Sequence, residues 1–318
     1  MSTRTVSLRI AVVGSLLVLA AGGKPLLAQE SPEPFPERDG HRFSPTRIVP
    51  VPSVSSYVVS TLGGAQAFDI TTPPFVVDGD TIPGLQGDLL FATLDLEYQQ
   101  KIVDWFAFRI GYRVDARLGT ELETLISRGV NTITGFEIGW LARLLESDRD
   151  ILMLDARVSN KNFTTVDIAG FVQDVIDGID ARIVRKTNAV RVAGGLRYAH
   201  AFSELFGIVA NGEFGVGESV VRNEDDEVFY RLGGQLDFDF DAWRDIPLNA
   251  ALGFQTDSYP EATEDVDGNL NTGFLRLSYI ARDDFTVGLT FFGSQIPTVV
   301  EQEKLKYAGV EFDLRYFF

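Results

Sequence analysis

The chain has 318 residues, 45% of them hydrophobic and 23% charged, and its 45 acidic side chains outnumber its 28 basic ones, for a formal net charge of −17. Its 24 Phe, 9 Tyr and 3 Trp exclude a disordered acidic chain, and the negative charge argues against a nucleic-acid-binding protein, which needs a basic surface. The lack of Cys excludes disulfides, thiolate metal sites, thiol catalysis and an acylated lipoprotein anchor.

The first 28 residues have the organisation of a secretory signal peptide. Arg4 and Arg9 precede an apolar run over 10–21, and a short segment then leads to Ala28, where we expect cleavage before Gln29. The alternative is an uncleaved membrane helix, but a helical span needs about 20 apolar residues, which is more than this run contains. The sequence therefore predicts export from the cytoplasm.

Residues 29–52 are rich in proline, with six of the thirteen prolines of the chain. This density favours an extended, polyproline-like segment with nothing to bury, and we interpret it as a periplasmic linker. His41 lies in this segment and is expected to be a solvated linker residue, with a docking role as the alternative.

The rest of the chain alternates apolar and polar residues with a period of two, the pattern of β-strands with two different faces. In 106–118 the apolar positions alternate with Arg109, Arg113, Asp115 and Arg117, and 308–318 repeats the pattern. Such segments cover 88–99, 106–118, 131–145, 150–159, 188–200, 204–218, 227–240, 246–258, 269–282, 284–295 and 308–318. This pattern fits either a soluble β-sandwich or a membrane β-barrel with its apolar face toward lipid.

Three features favour the barrel. Short connections near 100–104, 146–149, 201–203, 241–245 and 282–284 alternate with longer ones at 119–130, 160–187, 219–226, 259–268 and 296–304, as in barrels with tight periplasmic turns. An even strand number requires one more strand, for which 53–64 is the candidate. Aromatic residues such as Trp105 and Trp243 lie at the tight turns, where interfacial belts are found. We therefore predict an all-β, antiparallel up-and-down transmembrane barrel of about twelve strands over 53–318.

The final segment, YAGVEFDLRYFF, resembles the terminal strand of outer-membrane β-barrel proteins of diderm (Gram-negative) bacteria. The resemblance covers the architecture of residues 53–318 and singles out no subfamily. It implies integral insertion in the outer membrane, contact with its lipids, periplasmic termini and recognition by the barrel-assembly machinery. The residues it implies for that recognition are Val310, Phe312, Leu314, Tyr316 and Phe318.

The polar face of the strands is predicted to line the lumen, with charges of both signs. The lumen-lining candidates are Arg109, Arg113, Asp115, Arg117, Glu137, Arg191, Arg197, Glu213, Arg231, Asp237, Asp239, Arg276, Glu311, Asp313 and Arg315. Every basic member is Arg, whose planar guanidinium binds carboxylates in a bidentate manner. Two interpretations remain open and can coexist: an electrostatically screened channel, or a lattice of ion pairs that stiffens the interior.

Three further segments suggest functional roles. Residues 163–182 show an apolar helical face and could form a short helix folded into the lumen as a gate, a helix outside it, or a strand extension. Acidic segments such as 224–227 and 257–267 are predicted external loops, and Asp265–Asn269 is interpreted as a hairpin turn rather than a calcium loop. His200 and Ser203 lack an evident third partner for catalysis, so we expect neither an enzyme nor a cofactor or metal.

The leading functional hypothesis is porin-like or gated passage of small solutes through the charged lumen. The alternative is a non-conducting structural or surface-binding barrel that acts through its acidic extracellular loops. No nucleic acid is expected as a partner.

Overall fold

Twelve antiparallel strands follow one another around a closed barrel. The structure is a computed structural model, and it describes residues 36–71, 75–77, 80–82, 86–118, 129–166, 184–218, 227–258, 269–297 and 304–318. The expected signal peptide, 1–28, lies outside these ranges. In chain order the barrel strands are β1 (Tyr57–Thr71), β2 (Gln86–Val103), β3 (Phe106–Leu118), β4 (Gly129–Glu146), β5 (Asp150–Val166), β6 (Val184–Ser203), β7 (Phe206–Gly217), β8 (Glu227–Asp239), β9 (Leu248–Ser258), β10 (Asn269–Arg282), β11 (Phe285–Pro297) and β12 (Lys304–Phe317).

The barrel closes between its first and last strands. β12 pairs with β1 from Lys306 opposite Phe68 down to Phe317 opposite Tyr57. This closure confirms the predicted barrel of about twelve strands and the need for a strand before β2. That strand begins at Tyr57 rather than at residue 53, because 53–56 belong to the segment that precedes the barrel.

Tight turns lie at one end of the barrel. They join β2 to β3, β4 to β5, β6 to β7, β8 to β9 and β10 to β11, and the β8–β9 turn contains a single helical turn, Asp241–Arg244. At the other end the structure describes only a hairpin of Phe75–Val77 and Asp80–Ile82 between β1 and β2. Within the described ranges, no helix is both long and apolar enough to cross a lipid bilayer.

Of the alternatives for 163–182, the strand extension is confirmed for the first four residues. Residues 163–166 belong to β5 and pair with β4 and β6, with Val166 opposite Val184. The remainder of that segment lies outside the described residues, as do 224–226, 259–267 and most of the Asp265–Asn269 turn. Thr164, Thr165 and Val166 are β-branched residues, which favour a strand, and cross-strand pairing extends β5 through them.

The two faces of the wall differ sharply. Large apolar side chains point outward and remain exposed, among them Leu62, Tyr112, Phe136, Leu196, Phe214, Leu252, Leu275 and Phe291. The intervening residues point inward and include buried charged groups such as Arg109, Arg197 and Asp237. This distribution inverts that of a soluble protein, and it is the arrangement that a bilayer around the barrel stabilises.

Candidate functional site

The part of the proline-rich segment that the structure describes runs into the barrel before β1 begins, and most of residues 41–56 are buried. Residues 36–56, which we call the plug, include a short ribbon of Glu37–Arg38 and His41–Arg42 and then an extended stretch. His41, Ser44 and Val49 are completely buried. The expectation of a segment with nothing to bury is therefore wrong for residues 41–52, and the expectation of a solvated His41 is wrong as well. Local sequence could not show this, because the partners of the plug lie far away in the chain.

The plug enters at the tight-turn end, where two aromatic rings occupy space left by a glycine. A Cβ atom on Gly207 of β7 would lie 2.5 Å from the Phe43 ring and 2.6 Å from the His41 ring. The His41 Nδ1 atom lies 3.0 Å from the backbone oxygen of Glu204. Burial lowers the pKa of His41 below its ordinary value of 6.5, although the Glu204 hydrogen bond and Asp239 oppose the shift. This pocket at Gly207, which we call the seat of the plug, therefore favours the neutral imidazole of His41.

Further into the lumen, side chains of β8 and β10 hold the plug backbone. The backbone N–H of Ser44 donates to Asp237 Oδ1 at 2.7 Å, and Gln235 Nε2 donates to the backbone oxygen of Ser44 at 2.9 Å. The Ser44 and Ser278 hydroxyls lie 2.6 Å apart. These bonds satisfy buried polar groups that would otherwise be costly, because a buried polar atom without a partner destabilises the folded state.

The plug turns back near Arg47 and Val49, about halfway along the strands. Thr46 Oγ1 accepts a hydrogen bond from Val49 N at 2.8 Å and thereby closes the turn. Arg47 forms an ion pair with Glu311 on β12, and Arg42 pairs with Asp239 and Asp241. Apolar plug residues pack against the wall in one buried cluster, which contains Phe43, Ile48, Val49, Val51 and Val54 with Ala107, Leu141, Ile151, Met153, Ala199, Ala201, Val209 and Phe274.

One wall of the lumen carries a network of Arg and carboxylate side chains over β3–β7. Arg109 contacts Glu137 at 2.7 Å and Asp155 at 3.8 Å. Arg157 joins Glu137, at 2.9 Å, to Glu213. Arg197 Nε donates to Asp155 Oδ2 at 2.9 Å. Each of these guanidinium groups has a carboxylate partner, so this wall is an ion-pair lattice as well as a charged lining.

The remaining candidate residues also face inward where the structure describes their side chains. Arg113 pairs with Asp115 at 2.6 Å, Arg231 with Asp257 at 2.6 Å, and Arg276 with Asp313 at 2.9 Å. The guanidinium carbon of Arg315 lies 4.4 Å from the Tyr57 ring centroid, and that of Arg191 lies 5.6 Å from the Phe229 ring centroid. Arg117 is paired with Phe91 in the backbone register, and its side chain lies outside the described part.

Sequence reasoning missed two groups of lumen residues. The first is the plug contacts, above all Arg47 and Gln235. The second is a set of aromatic side chains on the polar phase of the strands: Phe91, Phe229, Phe274, Phe292 and Tyr307. A signal for three of them existed, because Phe229, Phe274 and Phe292 each stand opposite a glycine of the neighbouring strand.

On the outer face near the tight turns, His200 has a partner that the sequence did not reveal. Its Nδ1 lies 2.8 Å from Asp150 Oδ1, to which the Tyr198 hydroxyl also donates at 2.6 Å. The Ser203 hydroxyl instead accepts a bond from Leu205 N. In the part of the chain that the structure describes, no cluster of three or more His, Asp or Glu side chains is suited to a metal ion.

A cavity of about 730 Å³ extends from the plug toward the other end of the barrel. Plug residues Pro45, Thr46, Arg47, Ile48, Pro50 and Val51 form part of its wall. The remaining wall includes the ion-pair lattice on β3–β7 and, on other strands, the aromatic residues Phe91, Phe229, Phe292 and Tyr307. The volume lies within the range of about 300–1,000 Å³ that is usual for small-molecule sites.

The comparisons with known proteins indicate the fold. No family model matches the chain, and no curated protein matches it. An outer-membrane channel from Pseudomonas putida F1 superposes with a TM-score of 0.51 at 11% identity, over 87% of this chain and 100% of that one. The translocator domain of the autotransporter NalP from Neisseria meningitidis gives 0.49 at 9% identity, over 84% and 90% of the two chains.

This chain has the outer-membrane β-barrel fold. The closed twelve-strand barrel and the similarity to the Pseudomonas channel confirm the resemblance seen in the terminal strand, without indicating a subfamily. In that strand Val310, Phe312, Leu314, Tyr316 and Phe318 all point outward and are exposed.

Proposed function

We propose that the protein is a gated channel of the bacterial outer membrane, through which small solutes pass when the plug leaves its seat. The observation that carries this proposal is the plug itself. It fills the half of the lumen next to the tight turns and leaves a cavity in the other half. A barrel that served only as a membrane anchor would gain little from an interior divided in this way.

The outward apolar face supports placement in a bilayer, in contact with outer-membrane lipids. Chain termini and tight turns of such barrels lie on the periplasmic side, so we place the plug entrance there. The exposed aromatic residues of β12, with Phe318 at the end, are the surface proposed to be recognised by the barrel-assembly machinery.

The contacts of the plug favour reversible release. Between Phe43 and Ser56 the plug belongs to no strand of the barrel, and wall side chains form hydrogen bonds with its backbone at Ser44, Ser53 and Ser55. Leaving the lumen therefore breaks no strand ladder. The barrel wall keeps its own hydrogen bonds, and the ion-pair lattice on β3–β7 remains in place to define a narrow, charged passage.

A disulfide lock tests the proposal directly, because the chain contains no Cys. The hydroxyls of Ser44 and Ser278 are 2.6 Å apart, so the Ser44→Cys/Ser278→Cys variant is placed to form a bond between plug and wall. In planar bilayers we expect the oxidised variant to stay closed and the reduced variant to show conductance steps. Each single-Cys variant is the matched control and should not respond to oxidant.

Deletion of residues 37–54 gives the second arm of the experiment. We expect this variant to conduct continuously, since the ion pairs and apolar contacts of the plug are gone. If neither the deletion nor the reduced lock conducts, the transport proposal fails, and the alternative of a non-conducting barrel that acts through its acidic loops is favoured.

A further inference from the structure

The cavity beyond the plug has two chemically different walls. One wall is the ion-pair lattice described above. The other carries a row of apolar residues that are direct neighbours across β2, β1, β12, β11 and β10: Phe91, Ala65, Gly309, Phe292 and Phe274. Phe292 packs against the apolar cluster of the plug. The row therefore leads from the buried end of the plug to Phe91 near the opposite end of the barrel.

The aromatic rings in this region are held against the wall by glycines. A Cβ atom on Gly309 would lie 2.5 Å from the Phe292 ring, and one on Gly253 would lie 2.3 Å from the Phe274 ring. The same arrangement recurs at Gly215 and Phe229, again at 2.3 Å. The tip of each ring therefore occupies the space that a side chain on the glycine would fill, and Phe229 and Phe292 also line the cavity, whereas Phe274 packs in the apolar cluster of the plug. Such a surface is formed before a ligand arrives, which reduces the entropy cost of binding.

Cationic groups line the same cavity as this aromatic row. Tyr307 lies beside Phe292, with ring centroids 6.0 Å apart, and lines the cavity together with Arg47 and Arg113. Arg113 uses Nε and Nη2 to hold Asp115, and 36% of its side chain remains exposed. By contrast, Asp155, Glu213 and Asp313 are buried in ion pairs with arginines. Glu97, Asp115 and Glu137, which also line the cavity, are exposed by 22–24%, less than Arg113, so positive charge is the more accessible of the two signs.

We propose that this cavity is a binding site for small aromatic carboxylates, whose ring stacks on Phe292 and Phe91 and whose carboxylate binds Arg113. The inference deepens the proposed function, on which it rests, by naming the class of solute that the channel selects. Aromatic stacking selects planar rings, and a guanidinium selects the carboxylate over an ammonium group. The cavity volume limits the solute to a small molecule.

The test is calorimetric titration of the purified full-length protein in detergent with three probes: benzoate, cyclohexanecarboxylate and benzylammonium. We expect benzoate to bind more tightly than cyclohexanecarboxylate, which has the charge without the planar ring, and benzylammonium not to bind. Phe292→Leu should weaken benzoate binding about three- to tenfold, the size of one aromatic contact. Phe291→Leu is the matched control, because Phe291 is the next residue and faces outward.

Two more variants keep the test decisive if Phe292→Leu does not fold. Phe91→Leu should also weaken benzoate binding, and Arg113→Gln should remove the preference for benzoate over benzylammonium. Equal benzoate affinities in Phe292→Leu, Phe91→Leu and Phe291→Leu, or equal binding of benzoate and benzylammonium, would overturn the site. If the unlocked channel conducts but does not bind benzoate, only the proposed binding site is rejected. If benzoate binds but no variant conducts, only the proposed channel function is rejected.

Discussion

The seat of the plug at Gly207 makes a quantitative prediction about gating. A Cβ atom at this position would overlap the rings of His41 and Phe43 at 2.5–2.6 Å, and both rings are completely or almost completely buried. The Gly207→Ala substitution therefore overpacks the plug and leaves the outward face of β7 unchanged. Overpacking of a close-packed interior typically costs about 1–3 kcal/mol. Because about 1.4 kcal/mol is a tenfold change in an equilibrium constant, the unseated fraction should rise about 5- to 140-fold.

Gly111 on β3 provides the matched control. It also faces the lumen, but a Cβ atom there would lie 3.6 Å from its nearest neighbour, which is ordinary van der Waals contact. We expect Gly207→Ala to increase the open probability in planar bilayers and to expose Arg42 and Arg47 to trypsin, whereas Gly111→Ala behaves like the unmodified chain. Identical open probability and proteolysis in the two variants would refute the assignment of the plug as the gate.

Three further predictions concern pH, the wall and assembly. Burial lowers the pKa of His41 in the seated plug, whereas the released plug regains a His41 pKa near 6.5. The plug should therefore be held most firmly above pH 6.5, and its binding in the lumen should weaken as the pH falls below that value. A His41→Gln channel that opens with the same acid dependence would count against this prediction. Arg276→Met leaves Asp313 buried without its partner and should destabilise the barrel by about 3–5 kcal/mol in denaturant unfolding. Arg282→Met, at the exposed rim, is the control and should have little effect. Equal unfolding midpoints for the two variants would contradict the role of the Arg276–Asp313 pair. Phe318→Ala should reduce barrel assembly in cells while refolding in detergent stays normal, and a loss confined to refolding would show that Phe318 acts only in stability.

The strands could be predicted from sequence because a barrel wall imposes one simple rule on every segment. Lipid contacts one face and the lumen the other, so residues on the outward phase stay apolar over 106–118 and 308–318 alike. Tight turns such as the one at Trp105 were equally visible, since a short connection between two antiparallel strands leaves few residues unassigned. The bounds of β1 were less clear, because its glycines interrupt the alternation and pairing to β12, rather than its own pattern, determines where it begins.

The contents of the lumen could not be predicted in the same way. Ser44 meets Asp237 across 193 residues of sequence, and Arg47 meets Glu311 across 264. Local periodicity carries no information about such contacts. The alternation also did not reveal the aromatic row. Phe291 and Phe292 are adjacent and both apolar, so they interrupt the pattern, and only the strand register shows that Phe292 stands opposite Gly309.

The proline content that suggested a segment with nothing to bury also makes the plug suited to burial. Pro45 and Pro52 are buried, and neither has a backbone N–H that would need a partner inside the lumen. Their fixed φ angles restrict the released chain as well, so that less conformational entropy is lost when the plug is seated. A segment with fewer donors is also poorly able to add itself to the sheet as another strand. Proline thus keeps the plug separate from the wall, and a separate element is what a removable gate requires.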